Sequence, residues 1–278
     1  MTKTNPSLDV QETLGAAESF FSKKKKQLII GVAAVAVIFG GYFGYKYLIQ
    51  APRNEKAQTQ LTVGIQMMEQ AQQISMQNAQ VQAMPDSSLT QTLKAQGMLT
   101  TENPDSVAAF VKKFRADQQK MLTDTYNKAL KGEGKFPGLL KIANDGGTDA
   151  SNIANYLVGI CYYRMAQYKD AIKYLENFDA QGDKAVSPMG LAALANCYVC
   201  EKQFDKAVSK FKKAADKADN ETLSPLFLLE AGKILESQNK KEEANELYVQ
   251  IKKEYPKFGM TQQGMNSSEI DMYIERTK

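Results

Sequence analysis

The chain is 278 residues long, 43% hydrophobic and 24% charged, with a formal net charge of +4, three Cys, no His and no Trp. That length suffices for one or two domains with a real core, while the lack of His excludes histidine triads and leaves any zinc site to cysteines and carboxylates. Three cysteines are too few for a disulfide framework, and dispersed lysines with so small a net charge leave no nucleic-acid footprint.

Leu8, Leu14, Ala17, Phe20 and Phe21 mark a weakly amphipathic helix over residues 8–22. Lys23, Lys24, Lys25 and Lys26 then stand directly before an uncharged run from Gln27 to Tyr45, which Tyr47, Leu48 and Ile49 extend beyond Lys46. About 20 helical residues cross a hydrocarbon core of ~30 Å, and Tyr42, Tyr45 and Tyr47 suit the interfacial belt at the far end. The apolar run is too long for a signal peptide and no small-x-small cleavage site follows it, so 27–49 reads as an uncleaved anchor. Four lysines precede the span, against Lys46, Arg53 and Lys56 after it. This bias puts residues 1–26 in the cytoplasm as a basic tail and the bulk of the chain on the other side of the membrane.

Residues 50–104 read as a Gln- and Met-rich juxtamembrane helix and loop. Leu61, Ile65, Met68, Ala71 and Ile74 recur at helical spacing as far as the stop at Met84-Pro85, and the polar stretch that follows to Asn103-Pro104 reads as a loop with room for a short helix. Residues 105–148 begin with a helix over 106–130. The run "GEGKFPG" at 132–138 lacks the Lys-Ser/Thr ending and preceding strand of a phosphate loop, and reads as a glycine-rich turn.

From 150 to 258 the chain repeats. Ser151–Phe178, Ser187–Ala214 and Ser224–Ile251 align at offsets of 36 and 37 residues. Gly159, Ala195 and Gly232 share a column, as do Tyr162, Tyr198 and Leu235, then Ala171, Ala207 and Ala244, and finally Leu175, Phe211 and Tyr248. A serine, with Pro188 and Pro225 behind it in two repeats, suits the start of a first helix. Small residues let two helices approach, and the large ones fill the space between hairpins. Residues 259–278 end in "SSEIDMYIERTK", which reads as a capping helix with Ile270, Tyr273 and Ile274 turned inward.

These columns, with "YKDAI", "FDKAV" and "EYP", resemble the tetratricopeptide repeat family over about 110 residues. Departures are the slightly long period, Asn155, Phe178 and Lys241, and 105–148 is similar to a degenerate further repeat. The resemblance implies an all-α fold, a tetratricopeptide-like α-solenoid of helix hairpins preceded by a single transmembrane helix. The layout of basic tail, anchor and short repeat domain is also similar to bacterial envelope proteins of the kind that serve the SecYEG translocon as ancillary subunits. It implies the bacterial inner membrane and a periplasmic repeat domain.

The resemblance further implies a concave groove lined by the first helices of the hairpins. The positions expected there are Tyr156, Ile160 and Tyr163, then Ala192, Asn196 and Val199, then Leu229, Lys233 and Glu236. This lining is mostly apolar and aromatic, unlike the Lys, Arg and Asn clusters that hold a C-terminal carboxylate, and it points to an amphipathic helix or a non-native hydrophobic segment. The alternative occupant is the chain's own helix, Gln60 to Met84.

The expected function is a protein-interaction scaffold, not an enzyme, with no cofactor and no metal. Its expected partners are the lipid bilayer and proteins such as translocon or periplasmic chaperone components. Two rival readings are a cytosol-facing receptor of inverted topology and a thiol-redox protein using the C-x-x-C of Cys197 and Cys200. Against the latter, Cys197 shares a column with Cys161 and Ile234, which marks it as a small buried hydrophobe. Cys200 shares one with Arg164 and Ser237, which makes it the more modifiable of the two.

Overall fold

The computed structural model describes residues 40–179, 184, 186–258 and 267–278. The chain divides into two compact units, Met1–Lys56 and Ala57–Lys278. Residues 27–39 of the expected anchor lie outside the described residues, as does the amphipathic segment 8–22. Among the described residues no helix is long and apolar enough to cross a membrane. What is described of the first unit is helical, with a π-type turn over Tyr45–Gln50. It exposes Tyr42, Phe43, Tyr45, Tyr47, Leu48 and Ile49.

Helix α1 spans Ala51–Ala83, so it begins earlier than the apolar spacing suggests. From Ala57 onward, Ala57, Leu61, Gly64, Met68, Ala71, Ser75 and Asn78 advance by alternating steps of three and four. This stripe forms the helix's packed seam. Small residues hold the seam close: a Cβ on Gly64 would stand 2.4 Å from Leu139 Cδ2. The polar stretch after Met84, read as a loop with room for a short helix, does hold one, α2 (Asp86–Ala95). Its Leu89 and Leu93 form a small cluster with Leu99 and Val111.

Helix α3 spans Pro104–Lys131. Its start follows local chemistry: Asn103 Oδ1 accepts from the amides of Asp105 and Ser106 at 3.0 and 3.1 Å, and Pro104 occupies the first turn, where no amide partner is needed. The glycine-rich run becomes a tight turn into α4 (Leu139–Asp145). Glu133 and Phe136 exchange backbone hydrogen bonds at 3.1 Å. Gly132 and Gly138 both hold positive φ with a carbonyl oxygen, of Phe136 and Leu130 respectively, where a Cβ would sit.

The three aligned segments fold as three hairpins, α5–α6 (Asp149–Arg164, Tyr168–Asn177), α7–α8 (Val186–Cys200, Phe204–Ala218) and α9–α10 (Leu223–Ser237, Lys241–Glu254). Each closes in the same way. Ala166, Lys202 and Asn239, spaced 36 and 37 residues apart, all adopt left-handed φ near 60°. The next amide in each reaches back to the carbonyl of Tyr162, Tyr198 or Leu235 at 2.8 or 2.9 Å. This is the Schellman closure of a helix end, and its acceptors belong to the aromatic packing column.

Inside the hairpins the small column meets the large one. A Cβ on Gly159 would lie 2.4 Å from Leu175 Cγ, and one on Gly232 the same distance from Tyr248 Cε1. Between them stand Ala195 and Phe211, both buried. The serines sit inside the first turn of their helices, as the second or third helical residue, rather than ahead of it. Thr148 caps α5, its hydroxyl accepting from the amide of Ser151 while Ser151 Oγ accepts in return at 3.1 Å. Ser224 is buried and donates to the Ala215 carbonyl at 2.8 Å, tying α9 to the preceding hairpin. Phe178, large where alanine is usual, packs over Gly190 of the next hairpin and against the Tyr156 ring at 5.4 Å.

The last helix, α11 (Ser267–Thr277), covers the end of the array. Tyr273 is buried against the Tyr248 ring at 5.1 Å, with Ile270 and Ile274 packed on the same core. Asn245 Nδ2 donates to the Ile274 carbonyl at 3.0 Å, Lys252 pairs with Asp271 at 2.6 Å, and Arg276 pairs with Glu236 at 2.6 Å.

Candidate functional site

A cavity of about 730 Å³ opens within the second unit between α1 and the first helices of the hairpins. This size lies within the range of natural ligand pockets. α5 contributes Tyr156, Leu157, Ile160, Tyr163 and Arg164. α7 contributes Met189, Ala192, Ala193 and Asn196, and α9 contributes Leu226, Phe227 and Glu230. The facing wall is α1, through Ile65, Glu69, Gln72 and Met76, one turn apart and just beside its packed seam, with Met68 and Ser75 of the seam itself. Tyr126 of α3 and Phe211 of α8 complete the lining.

Five of the nine expected groove residues are therefore brought together here: Tyr156, Ile160, Tyr163, Ala192 and Asn196. Four are not. Val199 packs against the core, and Leu229 is core at 1% exposure. Lys233 pairs with Glu230 at 2.9 Å. Glu236 accepts from Tyr248 Oη at 3.0 Å and from Arg276, so it fastens the cap. The cause is a diagonal groove. α5 lends its C-terminal half, α7 its middle and α9 its N-terminal half, so most columns leave the lining at one hairpin or another, and of the columns that reach it only that of Leu157, Ala193 and Glu230 stays in it throughout. The Met-rich helix neither fills the groove nor leaves it open; it walls it. Sequence reasoning missed the stripe of Ile65, Glu69, Gln72 and Met76, whose polar members break an apolar pattern, and it missed Arg164, Met189 and Phe227.

The electrostatics of the lining centre on Arg164, the cavity's only cation among the described residues. Burial raises the phenols of Tyr126, Tyr156 and Tyr163 above their ordinary range, and Arg164 pulls each partly back. They stay neutral at physiological pH, offering hydroxyl donors and apolar ring faces. Among the described residues no carboxylate stands within ion-pair distance of Arg164 or lysine or arginine within that distance of Glu69.

The cysteines lie off this chemistry. Cys161 is fully buried with its Sγ 3.1 Å from Met68 Sδ, which ties the α1 seam to α5, and burial pushes its thiol up to about 12. Burial, then the neighbouring Cys200, pushes Cys197 up to about 12 as well. Cys200 is exposed. A thiol held that high supplies almost no thiolate near neutrality. Among the described residues no three His, Cys, Asp or Glu side chains group closely enough to hold a metal ion.

A protein-family model described as Tetratricopeptide repeat matches residues 227–257, which covers most of α9, all of α10 and the turn behind it. No curated protein sequence matches the chain. The match, the helical hairpins and their shared closure support a tetratricopeptide-repeat protein, an architecture that suggests a protein–protein interaction scaffold.

Proposed function

We propose that this chain is a membrane-tethered scaffold that holds a protein partner in the α1-walled groove, with its repeats facing the bacterial periplasm, and that it binds without catalysing a reaction. The observation that carries the reading is the groove: a concave, mainly apolar and aromatic space between helices whose own cores are already satisfied. Half-buried tyrosines such as Tyr156 and Tyr163, with the exposed methionines Met76 and Met189, favour a protein segment in such a cleft over a compact polar ligand. Supporting the tether are the four lysines ahead of the uncharged run Gln27–Tyr45 and the exposed aromatic residues Tyr42, Tyr45 and Tyr47 at its far end. The charge bias across the run favours a cytoplasmic N-terminus. A role beside the secretion machinery, in folding or envelope assembly, accords with that topology and with a site made for apolar segments.

Photocrosslinkers placed at Tyr156 and Tyr163 in the native membrane test the reading. Adducts to a partner protein are expected at both positions; links confined to α1 would overturn it. A periplasm-dependent reporter fused after Lys278 tests orientation. Its activity is expected, and an inactive fusion alongside an active cytosolic one would transfer the scaffold to the other face of the membrane.

A further inference from the structure

The lining says more about its occupant than that it is apolar. Every wall is an α-helix, and helical amides are already bonded within their own helix. An extended guest would find no strand edge among the described residues, and few side-chain groups to satisfy its backbone. A helix brings its own hydrogen bonds and presents only side chains. Ala192 and Ala193 at the middle of the floor leave room for those side chains.

Charge sets the direction. In the repeat register Leu157, Ala193 and Glu230 are equivalent, so Arg164 stands seven residues further along its helix than Glu230 does on α9. Two helix spacings separate α5 from α9, and the two charges therefore lie on the order of 20 Å apart, about the length of a four-turn helix. Arg164 marks one end of the diagonal and has no carboxylate partner among the described residues. Glu230 marks the other, held among the described residues only by Lys233 on its own helix at 2.9 Å. A helix carries partial positive charge at its N-terminus and negative at its C-terminus.

We infer that the groove takes an amphipathic helix of a partner protein, lying diagonally across α9, α7 and α5, with its N-terminal end at Glu230 and a carboxylate near its C-terminal end at Arg164. This rests on the groove being the partner site.

Two fluorescent, hydrocarbon-stapled peptides of about four turns test it against the full chain in detergent, with empty micelles as the blank. Both carry the same apolar stripe. One has Lys in the first turn and Glu in the last; the other has these exchanged, and stapling keeps their helicity equal. Anisotropy is expected to show the first binding about tenfold more tightly, and Arg164→Glu, at an exposed position, is expected to abolish or reverse that preference. Asn196→Trp, which fills the groove from its half-buried side, is expected to weaken both, with thermal melts confirming that each variant folds. Equal binding of the two peptides, with Asn196→Trp still weakening both, would overturn the direction and leave the groove standing. Binding untouched by Asn196→Trp, or no binding of either peptide, would overturn the groove as well.

Discussion

Two helices line the same groove and are held by different means. α7 buries nine of its 15 residues, Leu194, Ala195, Cys197 and Tyr198 among them, and has core on nearly every side. α1 is more than twice as long and buries four of 33: Leu61, Gly64, Ala71 and Asn78. Its hold is a single seam supplemented by polar bonds. Asn78 Nδ2 donates to Gln119 Oε1 at 2.8 Å, and Gln82 Nε2 donates to the Arg115 carbonyl at 3.3 Å. One side of the groove is thus fixed by the interior of the repeats, while the other can loosen at a free energy well below that of global unfolding. Binding surfaces that must admit different side chains benefit from such an arrangement: a rigid floor sets the register and a softer wall adapts.

The sharpest way to break this contrast is to attack the floor. Tyr248 is fully buried beneath Gly232 and against Tyr273. Tyr248→Ala is expected to cost about 3–5 kcal/mol, lowering the urea midpoint of the repeats together with the docking of α11. Gly64→Val strikes the wall instead, driving its side chain toward Leu139 at an expected cost of about 1–3 kcal/mol. Hydrogen exchange should then quicken in α1 while the hairpins keep their protection; hairpins that lost protection in step would erase the distinction. Asn78→Ala should weaken the same wall by about 1 kcal/mol through its bond to Gln119, read as faster exchange toward the C-terminal end of α1.

The smallest effect tests the cap by acid. Burial alone would raise the Glu236 carboxyl, but hydrogen bonds from Arg276 and Tyr248 and the Arg276 charge outweigh it and hold the group below its ordinary 4.5. A carboxyl lowered on folding contributes stability that is present above its unfolded value and is lost as pH falls through the folded one. Solvent screening keeps this to about 0.5 kcal/mol. Melting between neutral pH and pH 3 should show the loss in the parent and a flatter profile for Glu236→Gln.

The hairpins were legible in the sequence because their packing is periodic: a small residue (Gly159, Ala195, Gly232) meets a large one (Leu175, Phe211, Tyr248) every 36 or 37 positions. The sharing of a column by Cys197, Cys161 and Ile234 likewise pointed to a buried thiol, as did that of Cys200, Arg164 and Ser237 to an exposed one. The groove was half legible. Register aligns Tyr156 with Leu229 and Tyr163 with Glu236, but each hairpin is displaced relative to the last, and equivalents drift out of the site into the core or the cap. α1 hid its role for another reason. Its seam uses Gly64, Ala71 and Ser75, and its groove stripe mixes Ile65 and Met76 with Glu69 and Gln72, so hydrophobicity marks neither face. A short helix within the polar stretch after Met84 was legible as an option, but its bounds, Asp86–Ala95, were not, because only two leucines of its ten residues are buried.

The identical closures at Ala166, Lys202 and Asn239 have an engineering consequence. Because each first helix ends by a bond within its own backbone, the geometry of a hairpin does not depend on which side chains it shows to the groove. Recognition and architecture are thus separately editable. Groove positions such as Ile160 and Asn196 accept exchange without rebuilding a junction, and the 36- or 37-residue unit between two such turns is the natural segment to duplicate, delete or graft when a longer or differently selective array is wanted.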